Sequence, residues 1–175
     1  MPRRARELWS ALIAIVVVTT LYLVAYLQAS AFPSASSLVG HGIGIIGFVL
    51  MLMTATLYSL RKLSSTARWG STASWLKFHM FTGLVGPYMV LLHTAMKFQG
   101  LAGLTMLLTV VVVASGLVGR YLYTAVPRTA GDPGTATKRK ALATWHIVHL
   151  PLTWALFAAA LVHVIAELYY ATLQK

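Results

Sequence analysis

The sequence predicts an all-α membrane protein, a bundle of five transmembrane helices forming a single domain. Three observations predict it. Hydrophobic residues make up 58% of the chain and charged residues 10%, against roughly 25% charged in a soluble domain, so polar surface is too scarce to face water all round. Five stretches, near 8–31, 38–60, 74–97, 101–123 and 141–171, reach the about 20 mostly apolar residues that a bilayer crossing needs. The basic residues, finally, gather at the ends of alternate stretches.

The first span runs from Leu8 to Ala31. It exceeds the apolar core of a secretory signal, about 7–15 residues, and lacks a small-x-small cleavage context, so it reads as a retained helix. Phe32-Pro33-Ser34-Ala35-Ser36-Ser37 is a short turn into the second span, and Arg61 to Thr72 is a polar, basic loop into the third. Gln99-Gly100 closes a tight hairpin between the third and fourth spans. Pro127 to Lys140, with Gly131-Asp132-Pro133-Gly134, is the longest flexible connection and leads to the fifth. No whole-helix repeat and no low-complexity tail stand out.

Charge assigns the sides. Arg3, Arg4 and Arg6 precede the first span; Arg61, Lys62, Arg68 and Lys77 follow the second; Arg120, Arg128, Lys138, Arg139 and Lys140 follow the fourth. That places twelve of the 14 basic residues on one side of a five-span chain, with only Lys97 and Lys175 on the other. The positive-inside rule then puts the N-terminus in the cytoplasm and the C-terminus outside, and the expected location is a bacterial cytoplasmic (inner) membrane. The net charge of +11 is spread between apolar spans rather than gathered in a groove-sized patch, so nucleic acid is not an expected partner. The absence of cysteine excludes disulfides, thiolate-held iron–sulfur clusters and haem attachment through C-x-x-C-H.

Six histidines accompany only three acidic residues, and all six lie in or at the ends of apolar spans, where ionisable groups are costly and mark function. His79 and His93 are fourteen residues apart on the third span, His149 and His163 fourteen apart on the fifth. Fourteen residues advance roughly 21 Å and turn nearly four times, so both members of each pair point the same way. The third and fifth spans run parallel, which puts His79 level with His149 on the cytoplasmic side and His93 level with His163 on the outer side. Two matched imidazole pairs suit two iron porphyrins, one above the other. A lone membrane histidine is more simply a hydrogen bond to a neighbouring helix; two matched spacings are harder to explain that way.

The faces between the ligands are slender. Gly83, Gly86 and Val90 lie between His79 and His93, and Thr153, Leu156 and Ala160 between His149 and His163. Glycine there lets a planar group, or another helix, approach closely. Gly116 and Gly119 read as packing positions, and Pro87 and Pro151 as candidate kinks. Trp75, Tyr121 and Tyr123 read as interfacial anchors. His146, one turn before His149, competes with it for the inner iron; the fourteen-residue spacing favours His149. His146 is otherwise a partner for a propionate or a quinone. His41, at the outer start of the second span, reads as a solvated helix-end histidine or part of an outer redox surface. Arg120 and Lys97 sit at depths suited to haem propionates and equally to snorkelling anchors.

These paired histidines resemble the transmembrane domain of the ferric reductase and NADPH oxidase family, with His79 and His93 matching its third helix and His149 and His163 its fifth. The resemblance implies two stacked b-type haems and electron transfer across the bilayer. The segments Ser115-Gly116-Leu117-Val118-Gly119-Arg120-Tyr121-Leu122-Tyr123 and His149-Leu150-Pro151 are similar to those of bacterial membrane cytochromes. The flavin and nicotinamide domains of that family have no counterpart in these residues, and no dinucleotide fingerprint is present. The expected donor is therefore a separate redox protein or a quinol, and the leading expectation is an electron-transfer subunit of a larger complex embedded in membrane lipid. A stand-alone quinol-dependent reductase is the second reading. A non-haem metal or proton transporter ranks last, because the spans offer almost no carboxylates.

Overall fold

A computed structural model describes residues 6–29, 37–63, 70–125 and 134–173. These form five helices and no strand: α1 (Arg6–Ala29), α2 (Leu38–Leu63), α3 (Thr72–His93), α4 (Gly100–Ala125) and α5 (Gly134–Leu173). The expected connections at 30–36, 64–69 and 126–133 lie outside the described residues, as do Arg3, Arg4, Arg68, Arg128, Lys175 and the Lys62 side chain.

Four of the five helices, α1, α2, α4 and α5, are long and apolar enough to cross a membrane. The third, expected as a span at 74–97, does not reach that level of apolarity among the described residues. The reason is visible in its sequence: Lys77, His79, Thr82, Gly83, Gly86, Pro87 and His93 all fall within its 22 residues. Of these, His79, Thr82, Gly83, Gly86 and His93 contact α2, while Lys77 is exposed.

Two helix boundaries differ from expectation. Residues 134–140, read as the end of a flexible connection, are the first two turns of α5. The stretch Ala136-Thr137-Lys138-Arg139-Lys140-Ala141 consists mainly of strong helix formers, and the Gly131-Asp132-Pro133-Gly134 turn signal ends sooner than the polarity does. At the other boundary, α3 stops at His93 instead of 97. Ala95 and Met96 have positive φ, at 47° and 61°, and Gly100 follows at 56°. Left-handed backbone at two consecutive non-glycine residues cannot continue a right-handed helix. Local hydrogen bonds hold the turn: Thr94 Oγ1 donates to Leu91 O and accepts from Met96 N.

The chain divides into two units, Met1–Lys97 and Phe98–Lys175. In the first, α3 packs on both α1 and α2, and a small core joins Ala11 of α1 to Val85 and Met89 of α3, flanked by Ile43 and Leu50 of α2. Tyr88 of α3 and Thr19 of α1 share a 2.5 Å hydroxyl contact. Ser37 caps α2 by accepting from Gly40 N, and Ser71 caps α3 by accepting from Ser74 N. The second unit is the α4–α5 hairpin, with Thr105, Met106, Thr109 and Gly119 of α4 and Leu156 and Ala160 of α5 buried.

Outside these seams the surface is apolar. Leu12, Ile13, Val16, Val17 and Leu21 of α1 are exposed, as are Leu107 and Val110 of α4 and Leu161, Val162 and Ile165 of α5. A soluble protein does not present apolar area on this scale; a lipid-facing one does.

Candidate functional site

The α2–α3 seam is built around one close crossing. A Cβ placed on Gly47 would lie 2.8 Å from the Gly86 carbonyl oxygen, and one on Gly86 would lie 2.9 Å from the Gly47 oxygen. Only glycine at both positions lets the backbones meet. The two helices run antiparallel from this point, and the contacts on either side are symmetric. Seven residues above and below Gly47 are Gly40 and Thr54; seven above and below Gly86 are His93 and His79. His79 Nδ1 lies 2.9 Å from the Thr54 carbonyl oxygen, and His93 Nδ1 lies 2.9 Å from the Gly40 carbonyl oxygen.

A carbonyl oxygen only accepts, so both imidazoles carry a proton on Nδ1, and in the neutral ring the lone pair is then on Nε2. That is the form a metal takes, and a ring N–H bonded to a carbonyl is the usual support of a metal-bound histidine. Beside His79, Thr54 Oγ1 donates to Thr82 Oγ1 at 2.6 Å, and Thr82 Oγ1 donates to Phe78 O. Thr82 is buried, and both hydroxyls are also satisfied within their own helices, Thr82 by the Phe78 carbonyl and Thr54 by the Leu50 carbonyl.

Gly83 and Gly86, expected to admit either a planar group or a helix, both face α2. A Cβ on Gly83 would stand 3.4 Å from Thr54 Cγ2, an ordinary contact. Lys97 lies exposed in the turn after α3, its N–H bonded to Thr94 O. His41 meets His93 edge to face, with ring centroids 6.2 Å apart, and its Nδ1 is 3.3 Å from Ser37 O.

In the α4–α5 hairpin a third histidine is held across helices. Ser115 Oγ is 3.0 Å from His149 Nδ1, while the Ser115 carbonyl accepts from Trp145 Nε1 at 2.8 Å. The Trp145 and His149 rings stack at 4.8 Å and 24°. Gly119 makes the arrangement possible, because a Cβ there would overlap the Trp145 ring; Gly116 lies close to His149 Cε1. Both glycines are thus packing positions for α5 side chains. His146 is handled differently: its Nδ1 is 3.2 Å from Leu142 O in its own helix, and its ring meets Trp145 edge to face. His149 is thus anchored across helices, whereas the Nδ1 of His146 bonds within its own helix. His163 is half-buried fourteen residues further along α5, and Arg120, next to Gly119 in α4, is also half-buried.

Sequence reasoning missed Trp145 and the acceptors on α2 and α4. One signal was legible: a tryptophan precedes the inner histidine by four residues on both helices, as Trp75–His79 and Trp145–His149. Among the described residues no three His, Asp or Glu side chains gather into a cation site. Comparison with protein families, with characterised proteins and with solved structures finds no match to this chain.

Proposed function

We propose that this chain is a membrane di-haem b-type cytochrome that carries electrons across the bilayer as a subunit of a larger redox complex. His79 and His149 are the proposed ligands of the inner iron, and His93 and His163 those of the outer iron. The pairing between helices rests on the two fourteen-residue spacings. The observation that carries the reading is that both imidazoles of α3 donate from Nδ1 to main-chain oxygens that are themselves fourteen residues apart on α2.

Bound haem supplies reversible one-electron chemistry at its iron. The chain's own residues do the rest. The carbonyls of Thr54 and Gly40 hold the tautomer that leaves Nε2 to the metal, and increase the basicity of each imidazole. In this reading the Ser115 hydroxyl, which can donate or accept, accepts from His149 Nδ1. The apolar helices keep water from the ligands and so favour the less charged ferrous state. Arg120, His146 and Lys97 are proposed propionate or quinone partners. The donor and acceptor are proposed to be separate redox proteins or a quinol, reached from the inner membrane in which the chain sits.

The same imidazole–carbonyl bonds also favour a second reading, in which the histidines only tie α3 to α2. One experiment separates the two: a reduced-minus-oxidised optical spectrum of the detergent-purified chain, with pyridine haemochrome quantitation. Two b-type haems per chain are expected, and His93→Ala should remove one. No haem in protein made with ample haem supply would overturn the cytochrome reading and leave the packing role. Reduction of the haems by a quinol analogue alone, with electrons delivered onward to an outer acceptor, would identify a stand-alone reductase instead of a subunit.

A further inference from the structure

We propose that Gly44 of α2 is a positioning residue for His93: its missing side chain admits the imidazole to the Gly40 carbonyl. This rests on the reading of His93 as an iron ligand. In a helix each side chain leans toward the N-terminus and covers the turn before its own Cα. The carbonyl of residue 40 is therefore screened by whatever side chain stands at residue 44. A Cβ on Gly44 would fall 2.7 Å from His93 Cγ, 2.8 Å from Nδ1 and 3.1 Å from Cδ2. All three are ring atoms, so the imidazole lies against the bare Cα of Gly44, and from there Nδ1 reaches Gly40 O at 2.9 Å. A rigid ring cannot yield by bending its far end, as a lysine or methionine would. It has to rotate out of the bond.

Gly44 acts on His93 alone, since His79 makes its bond fourteen residues further along α2. Gly42, two residues away on the same helix, has nothing within 4 Å of the place a Cβ would occupy. It is a built-in control for any general effect of alanine in α2, where alanine is the better helix former.

The test has two arms on the full chain in detergent. In the first, redox titration and low-temperature electron paramagnetic resonance are recorded for wild type, Gly44→Ala and Gly42→Ala. Gly44→Ala should alter the g-values and midpoint potential of one haem, with about tenfold or greater loss of its occupancy, and leave the other haem as in wild type; Gly42→Ala should change neither. In the second, nitrogen-15 spectra of histidine-labelled, haem-free wild type report the ring tautomers. His93 should be protonated at Nδ1 and protected from exchange, and this signal should be lost in Gly44→Ala and kept in Gly42→Ala. A Gly44→Ala chain with wild-type haem signals, or with both haems changed equally, would overturn the proposal. So would a His93 protonated at Nε2 in the wild type, a result that needs no variant to fold. If the wild type binds no haem but the tautomer arm holds, the cytochrome reading fails and the positioning of His93 by Gly44 stands.

Discussion

Serine 115 illustrates how much one small residue settles. Its hydroxyl meets His149 and its carbonyl meets Trp145, so a single turn of α4 fixes both the ring and the plate stacked on it. Ser115→Ala removes the hydroxyl and keeps the carbonyl. In the cytochrome reading the inner haem should be retained about tenfold less well, with its midpoint potential raised, because an imidazole that has lost its acceptor is a weaker donor to ferric iron. Ser115→Thr, which restores the hydroxyl, should recover both values; recovery by valine as well would show that shape alone matters. Gly119→Ala makes a complementary case. The added methyl overlaps the Trp145 ring, so the hairpin should lose about 1–3 kcal/mol to overpacking, read as a lower melting temperature in detergent. Combining it with Trp145→Ala should abolish that added penalty, because the clash has one partner. Gly119 was legible as a packing position, but its partner and those of His149 were not. The fourteen-residue histidine spacing needs only a count along one chain segment, whereas the partners of His149 depend on which turn of α4 faces which turn of α5. That register is set by Gly119 accepting a tryptophan, and glycine in the sequence does not announce what it accepts.

At the scale of helices, the α2–α3 seam is organised by an antiparallel register in which Gly47 meets Gly86 and the two histidine bonds lie seven residues to either side. Without hydrophobic drive between helices in lipid, such seams rely on close packing and on hydrogen bonds of about 0.6 kcal/mol each, up to about 2. The Thr54–Thr82 bond is one of these. Thr82→Val alone should cost only about 0.6 kcal/mol, since the Thr54 hydroxyl keeps the Leu50 carbonyl as its acceptor, and the double variant Thr54→Val with Thr82→Val should cost no more than either single one. Equal and additive losses in denaturant titrations would instead show that the two hydroxyls act independently. Helix existence was legible throughout from apolar length. The ends were not: the polarity of Lys138, Arg139 and Lys140 suggested a linker, yet these residues are good helix formers, and α3 ends early because Ala95 and Met96 turn left-handed. Gly83 and Gly86 were read as able to admit a planar group or a helix. The structure turns both toward α2, so the small stripe of α3 is occupied by Gly47 and Thr54.

For the whole molecule, the open quantity is how the chain threads the membrane, and α3 decides it. Four helices meet the apolar length of a span, and α3 departs from it because it carries two imidazoles, a lysine, a proline and two glycines. Their polar cost is largely met inside the first unit: both imidazoles donate to α2 carbonyls, and Thr82 is hydrogen-bonded and buried. A helix whose polar groups are satisfied by neighbours can cross at lower hydropathy than one facing lipid alone. Five crossings with the N-terminus inside are the topology we propose, from the distribution of basic residues. Because the chain contains no cysteine, single cysteines introduced into it report sidedness without background. A membrane-impermeant maleimide added to intact cells should label Lys97→Cys and Thr172→Cys, and should label Lys140→Cys only after the membrane is opened. If α3 instead lay on the cytoplasmic face, Lys97→Cys and Thr172→Cys would both be protected and Lys140→Cys would be labelled in intact cells, because α4 and α5 would cross in the opposite sense. His79 and His93 would then sit at one depth, and the two-level arrangement of imidazoles on which the cytochrome reading depends would be lost with them.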